Sequence, residues 1–187
     1  MACPETSASS SLGSRLSSDQ HVGAINVKAI EIERKFLVRN DSWRDCAGIP
    51  HVLQQAYLSR DENSVRVRLI DGRSACLTIK FHTAGLAKDE YEYEIPVEEA
   101  RELLRHATGH VIEKTRYRVL HEGRNWDVDV FAGAYEGLTL AEIEMAGEDD
   151  LPALPQWLGR EVTGNKRYSN RAMAEASRQP PLGACGG

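Results

Sequence analysis

Two carboxylates and an ammonium group share one face of a short segment near the start of the chain. The segment reads EIERKF over residues 31–36, and alternation places Glu31, Glu33 and Lys35 on one side of a β-strand with apolar residues on the other. Carboxylates suit Mg²⁺ or Mn²⁺, and an ammonium group binds phosphate. The residues therefore favour metal-assisted phosphate chemistry, while a solvated polar face is the commoner meaning of any single strand of this kind.

Seven of the eight segments that the sequence predicts as strands have this alternation. The later segments are 52–58, whose faces are poorly sorted, and 64–70, 74–81, 88–97, 111–121, 125–131 and 138–145. A helix is predicted at 97–107, because Ala100, Leu103 and Leu104 recur at helical spacing, and a second from about 165 to 177. Many strands and few helices predict an antiparallel sheet or barrel with the helices as an outer layer.

The polar faces of these strands are sorted by the sign of their charge. The acidic positions are Glu31, Glu33, Glu90, Glu92, Glu94, Asp127, Asp129, Glu142 and Glu144, and the basic positions are Lys35, Arg66, Arg68, Lys80, Lys114, Arg116 and Arg118. Grouping like charges is unfavourable unless something bridges them, as a polyanion with a divalent metal would do. Alternation does not tell which face points inward, so the charged faces could also form the outside of a barrel.

Composition narrows the class of protein. The chain has 187 residues and a formal net charge of -5, which suits one domain with a sizeable core and argues against a protein that coats nucleic acid. Its four cysteines lack close pairing or metal-type spacing, so we expect a reducing, cytoplasmic compartment. No secretory signal or membrane-spanning run is visible, and we expect no membrane partner. Three tryptophans, Trp43, Trp126 and Trp157, are interpreted as packing groups, and the six histidines are assigned no role.

The ends of the chain differ from its middle. Residues 1–28 are rich in Ser, Gly and Ala, and residues 179–187 contain two prolines and three glycines, so both are expected to be disordered. The predicted domain therefore spans 29–178.

The segment 30–38 resembles the ExExK signature that opens the CYTH proteins, also called triphosphate tunnel metalloenzymes. Further blocks resemble, in order, those of the short bacterial branch of that family: QAYL at 55–58, VRVR at 65–68, LTIK at 77–80, DEYE at 89–92, EKTRY at 113–117, VDVFAG at 128–133, AEIE at 141–144 and VTGNKRYSN at 162–170. The likeness covers about 29–174. A lone ExExK would be weak, whereas this many ordered blocks are specific.

The resemblance implies a fold and a site. The fold is α+β and mainly β, an eight-stranded antiparallel closed barrel whose charged faces line a triphosphate tunnel, with helices outside. The implied Mg²⁺ or Mn²⁺ ligands are Glu31, Glu33, Asp129, Glu142 and Glu144. The implied triphosphate-binding residues are Lys35, Arg66, Arg68, Lys80, Arg116 and Lys166. Lys114 and Tyr57 match positions near one tunnel end, where they would close it or orient water, and with Lys35 they are the candidate catalytic residues.

Some charged positions are left without a role. Glu90 and Glu92 match family positions but have no assigned function, and Glu94 and Asp127 share the alternation without belonging to a family block. Both of the latter are therefore left out of the predicted site.

The activity implied is metal-dependent hydrolysis of a small triphosphate, inorganic tripolyphosphate first, by a monomer or homodimer. The same family contains thiamine triphosphatases and class IV adenylyl cyclases, so those substrates stay open. The sequence shows no segment dedicated to a nucleobase. An alternative of another class is a non-catalytic polyphosphate-binding module, which the presence of both carboxylates and bases disfavours.

Overall fold

Nine antiparallel strands form one continuous sheet in the computed structural model, which describes residues 32–59, 63–82, 88–147 and 149–176. The strands are β1 (Ile32–Val38), β2 (His51–Tyr57), β3 (Ser64–Ile70), β4 (Ser74–His82), β5 (Lys88–Glu94), β6 (Ile112–His121), β7 (Arg124–Phe131), β8 (Thr139–Met145) and β9 (Leu158–Glu161). Their spatial order is β5-β4-β3-β2-β6-β7-β8-β1-β9. The helices are α1 (Val97–Arg105) and α2 (Asn170–Glu175), with 3₁₀ turns at Ser42–Cys46, Gly133–Tyr135 and Lys166–Tyr168.

The predicted mainly β, antiparallel fold is confirmed, and all eight predicted strands are present. Closure of the barrel is not confirmed, because β5 and β9 each pair on one side only within the described residues. A ninth strand, β9, was not predicted; it is four residues long and pairs with β1 at two positions. The predicted disordered ends, 1–28 and 179–187, lie outside the described residues.

The second predicted helix is much shorter than expected. Instead of beginning near 165, the chain forms a 3₁₀ turn at Lys166–Tyr168, and α2 begins only at Asn170. The side chain of Ser169 accepts a hydrogen bond from the backbone N–H of Ala172, which caps the helix at that point. Among the described residues no helix has the length and apolar character needed to cross a membrane.

One side of the sheet is apolar and covered. Under α1, Ala56, Val67 and Leu69 of β2 and β3 pack against Ala100 and its neighbours. Helix α1 has two glutamates in its first turn and an arginine in its last, which complements the helix dipole. Burial of these apolar side chains under α1 stabilises the part of the sheet that β2, β3 and β4 form.

The other half of the apolar side is covered by tryptophans. Trp126 of β7 lies between Phe36 of β1 and Trp157, with ring centroids 5.8 Å apart in both pairs. Trp43, in the 3₁₀ turn after β1, covers Val119 and is 1% exposed. The predicted packing role of all three tryptophans is confirmed.

An apolar cluster also forms on the charged side of the sheet. Tyr57, Ile112, Phe131 and Leu140 share the strand parity of the charged residues, and they pack against Met173 of α2 and its neighbours. The backbone N–H of residue 110 donates to the carbonyl of residue 174 at 2.7 Å, which ties α2 to the sheet. This end of the charged side is therefore filled by side chains.

Strand β9 holds β1, which carries two predicted site residues. The Arg34 guanidinium donates to both carboxylate oxygens of Glu161 at 3.0 and 2.7 Å, and with Thr163 it lowers the pKa of Glu161 to about 2. The hydroxyl of Thr163 accepts from the backbone N–H of Lys35 at 3.0 Å. The backbone beneath the Lys35 side chain is therefore fixed from outside the ExExK signature, by Thr163 in the segment that follows β9.

Gly109 provides a test of how α2 closes the end of the sheet. A Cβ at this position would overlap the carbonyl oxygen of Ala174, so Gly109→Ala forces α2 away. We expect a loss of about 2 kcal/mol in the free energy of unfolding, measured by urea denaturation. Gly147→Ala is the control, because a Cβ there meets nothing within 4 Å. Equal stability of the two variants would contradict the close approach.

Candidate active site

A cavity of about 600 Å³ lies on the charged side of the sheet. The predicted site residues that line it are Glu33, Lys35, Tyr57, Arg66, Arg68, Lys80, Arg116, Glu142 and Glu144. Val67, between two of the arginines, is instead fully buried on the other side under α1. The question that alternation left open is therefore answered: the charged faces point inward.

The remaining predicted site residues lie elsewhere. Asp129 and Lys114 are buried and do not line the cavity. Lys166 is exposed on its 3₁₀ turn and also lies outside the cavity lining. Glu31 lies outside the described residues.

Asp129 is the anionic centre of the site. Its carboxylate has no exposed side-chain surface and accepts from Lys114 Nζ at 2.5 Å and from Arg116 Nε and Nη2, each at 2.7 Å. Burial alone would raise the pKa of Asp129, but the two cations outweigh burial and hold it well below its usual range. Asp129 is thus ionised and pairs with both cations.

Lys114 is a fully buried ammonium group. Burial lowers its pKa to about 8, because the attraction of Asp129 is opposed by Arg116 and Arg68 nearby. A second contact, at 3.4 Å, joins Lys114 Nζ to Asn170 Oδ1 of α2. Asn170 also lines the cavity and was not predicted as a site residue, although it ends the last matching block. Helix α2 therefore contributes to the site as well as to packing.

Glu142 links Lys35 of β1 to Arg116 of β6. Its carboxylate contacts Lys35 Nζ at 2.8 Å and Arg116 Nη2 at 3.1 Å. The first contact follows from strand register, since Lys35 and Glu142 are directly opposite each other on β1 and β8. Burial alone would raise the pKa of Glu142, but Lys35 and the other cations lower it. Glu142 is therefore held ionised between two bases.

Glu33 and Glu144 form a like-charged pair at the cavity. They are directly opposite each other on β1 and β8, where two carboxylates repel. The Glu33 side chain is 52% exposed, and its contact with Lys35 Nζ is long at 3.7 Å. This pair suits a cation, although the described residues contain no group of three or more His, Cys, Asp or Glu placed to hold a metal ion. Glu31, another predicted ligand, lies outside the described residues.

Asp127, which was left out of the predicted site, lies in the cavity lining. Its carboxylate accepts from Arg116 Nη1 at 2.8 Å and from Arg118 Nε at 3.4 Å. The available signal was its position two residues before Asp129, on the same face of the same strand. Glu94, also left out, does not line this cavity.

The opposite wall carries the bases of β3 and β4 with glutamates of β5. Lys80 Nζ lies 2.7 Å from Glu90, and Thr78 accepts from Arg66 Nη2 at 3.0 Å while donating to Glu92 at 2.9 Å. Glu90 and Glu92, which had no predicted role, thus act in this state as counter-ions and hydrogen-bond partners of the basic wall.

Arg68 has a neutral partner. Its Nε and Nη2 donate to Gln55 Oε1 at 3.1 and 3.0 Å. Burial, with repulsion from Arg66 and Arg116, lowers the pKa of Arg68 to about 10. Gln55 was not predicted as a site residue, although it begins one of the matching blocks.

Comparison with known proteins agrees with this geometry. The model of the CYTH domain family matches residues 29–176. The chain belongs to the CYTH family. It is 46% identical over 148 residues to an inorganic triphosphatase of Acetivibrio thermocellus, a match that covers 78% of this chain and 93% of that protein. It is 40% identical over 148 residues to an inorganic triphosphatase of Nitrosomonas europaea, covering 77% and 96% of the two chains.

The fold is also found among solved CYTH relatives. A crystal structure of an inorganic triphosphatase superposes with a TM-score of 0.60 at 35% identity, covering 80% of this chain and 97% of that chain. The mainly antiparallel sheet around a charged cavity is therefore the CYTH tunnel fold.

The Asp129 centre of this CYTH site can be tested by stability. Asp129→Asn leaves Lys114 and Arg116 buried against a neutral amide, and loss of one partner of a buried ion pair costs about 3 kcal/mol or more. We expect a matching fall in the free energy of unfolding by urea. Glu144→Gln is the control, because Glu144 is exposed and its loss should change stability by no more than about 0.5 kcal/mol. An Asp129→Asn protein as stable as wild type would contradict the ion-pair centre.

Proposed function

We propose that this protein hydrolyses inorganic tripolyphosphate to diphosphate and phosphate with the help of Mg²⁺ or Mn²⁺. The observation that carries the proposal is the convergence of Lys35, Arg66, Arg68, Lys80 and Arg116 on one cavity of about 600 Å³. A short chain of phosphates is the ligand whose many charges match such a cluster. The names of the two curated relatives, which match over more than nine-tenths of their length, support the same substrate.

The cationic lysine and arginine side chains act by binding the phosphate chain and positioning it. Each cation on the cavity wall is already held in place, Lys80 by Glu90 and Lys35 by Glu142, so little rearrangement is needed when a phosphate oxygen arrives. Fixed cations in a partly desolvated cavity stabilise the negative charge that develops on the leaving phosphate. Tyr57 lines the cavity and packs in the apolar cluster at the α2 end, where we assign it the orientation of the attacking water. Lys114 is buried behind the cavity lining, where it holds Asp129 and Asn170 in position.

The carboxylates fit a hard cation. Glu33 and Glu144 face each other with one long contact to a base, and oxygen donors of this kind are those that Mg²⁺ and Mn²⁺ prefer. Together with Glu31 and Glu142 they are the residues that would hold it. Asp129, the fifth ligand that the resemblance implies, is buried behind the cavity lining and held by Lys114 and Arg116, so it would support the site through these cations. When bound, the ion supplies charge neutralisation at the phosphate oxygens and activation of water.

The lining of the cavity favours tripolyphosphate over larger substrates. A nucleotide or thiamine triphosphate needs an apolar or aromatic surface for its ring. Among the described residues, the cavity lining offers only Tyr57 and Ile143 of that kind, against a majority of charged side chains. A cyclase or thiamine triphosphatase is therefore the weaker proposal.

We further propose a cytoplasmic location and a monomer or homodimer with no nucleic-acid partner. The acidic net charge of -5 supports the last point. Cys46 and Cys76 are both free thiols, which is consistent with a reducing compartment.

A substrate panel tests the activity. Tripolyphosphate, thiamine triphosphate and ATP are incubated with the protein and Mg²⁺ or Mn²⁺, and released phosphate and cyclic nucleotide are measured. We expect the highest kcat/KM for tripolyphosphate and no cyclic nucleotide from ATP. Cyclic AMP would identify a cyclase instead, and tight binding of tripolyphosphate without phosphate release would identify a binding module.

Glu33 provides the sharpest test of the carboxylate wall. Glu33→Gln removes an exposed charge whose contact with Lys35 is 3.7 Å long, so the fold should be unaffected. We expect Mg²⁺-supported turnover of tripolyphosphate to fall by about 100-fold or more, since a cation ligand is lost. Glu99→Gln, an exposed glutamate in the first turn of α1, is the matched control and should keep full turnover. Wild-type kinetics in Glu33→Gln would remove Glu33 from the cation site.

A further inference from the structure

We propose that Gln55 is a positioning residue that fixes the guanidinium of Arg68 for a phosphate group of the substrate without neutralising its charge. The inference rests on the proposed triphosphatase function and assigns a specific role within that site to a residue that the matching motifs leave without one.

The geometry of the contact sets the orientation of the guanidinium. Gln55 and Arg68 are directly opposite each other on β2 and β3, and Gln55 Oε1 accepts from Nε and Nη2 at 3.1 and 3.0 Å. Both bonds come from one edge of the planar fork. The other edge, formed by Nη1 and the second hydrogen of Nη2, remains as a pair of parallel donors that matches two phosphate oxygens.

The neutrality of the partner distinguishes Arg68 from its neighbours. Lys35 pairs with Glu142, Lys80 with Glu90 and Arg116 with Asp129. Arg68 has no carboxylate partner among the residues that the structure describes, and its partner is the neutral amide oxygen of Gln55. Its positive charge is therefore not cancelled before an anion binds.

Packing does not explain a glutamine at this position. Gln55 is fully buried, and its oxygen must face Arg68 because a guanidinium only donates hydrogen bonds. Its amide Nε2 then has no acceptor within the described part of the chain. An apolar side chain of similar size would avoid this unsatisfied donor, so the amide is unfavourable for folding and suited to holding Arg68.

Two substitutions separate orientation from charge. Gln55→Glu keeps the acceptor and the orientation but cancels the charge, so KM for tripolyphosphate should rise about tenfold and depend less on salt concentration. Gln55→Leu keeps the charge but releases the guanidinium, so kcat/KM should fall about tenfold while the salt dependence stays that of wild type. Both variants should have a higher melting temperature than Asp129→Asn.

Gln54→Leu is the matched control. Gln54 is the adjacent residue on the opposite face of β2, where its amide donates to Glu113 at 2.9 Å outside the cavity. Its loss should leave KM, kcat and the salt dependence unchanged. Calorimetric binding of tripolyphosphate in the presence of a chelator gives a second readout that does not need turnover, and Gln55→Glu should weaken this binding more than Gln55→Leu.

The outcomes distinguish this inference from the proposed function. If wild type cleaves tripolyphosphate and both Gln55 variants match it, Gln55 only fills space and the inference is overturned while the function stands. If the two variants lose the same activity with the same salt dependence, the role of a neutral partner is overturned. If wild type neither binds nor cleaves tripolyphosphate, the proposed function itself fails.

Discussion

The site depends on one buried carboxylate. Asp129 accepts hydrogen bonds from Lys114 and Arg116 with no exposed surface of its own, and without it two cations would be buried with too little negative charge around them. Because Arg116 also contacts Glu142, and Glu142 contacts Lys35, this centre connects β6 and β7 with β8 and β1. A sheet that buries charge on one face can fold because such pairs offset part of the desolvation penalty.

The opposite face of the same sheet supplies the stability that the charged face lacks. Helix α1 covers the apolar face of β2, β3 and β4. The three tryptophans cover the same face of β1, β6, β7 and β8. With its apolar face closed by these layers, the sheet can leave its charged face around a cavity, filled only at the end where α2 packs. The ion pairs along the walls of that cavity hold the cationic side chains and the carboxylates in defined positions before a substrate binds, which is the preorganisation that charge stabilisation requires.

Much of this was predictable, and the failures have physical causes. Seven of the eight predicted strands follow from alternation, and α1 follows from its helical spacing with charges suited to its dipole. Strand β9 was missed because it is four residues long and comes after a stretch containing prolines, so its pairing with β1 carries no local signal. Helix α2 was predicted too long because Lys166–Tyr168 forms a 3₁₀ turn and the Ser169 cap starts the helix only after that turn. Gln55 was missed because a lone amide has no distinctive pattern. Asp127 was left out because it lies outside the matching blocks, although it shares a strand face with Asp129.

The sequence by itself determined which residues share a strand face, that the charged faces are sorted by sign, and the family that the ordered blocks resemble. It could not determine which face points inward, because alternation is symmetric between the two sides of a strand. Nor could it determine the pairing of one charge with another, since the contacts join strands far apart in the chain, such as β1 with β8 and β2 with β6. Only the tertiary structure places Glu33 opposite Glu144 and Arg68 opposite Gln55, because strand order and register decide which side chains meet.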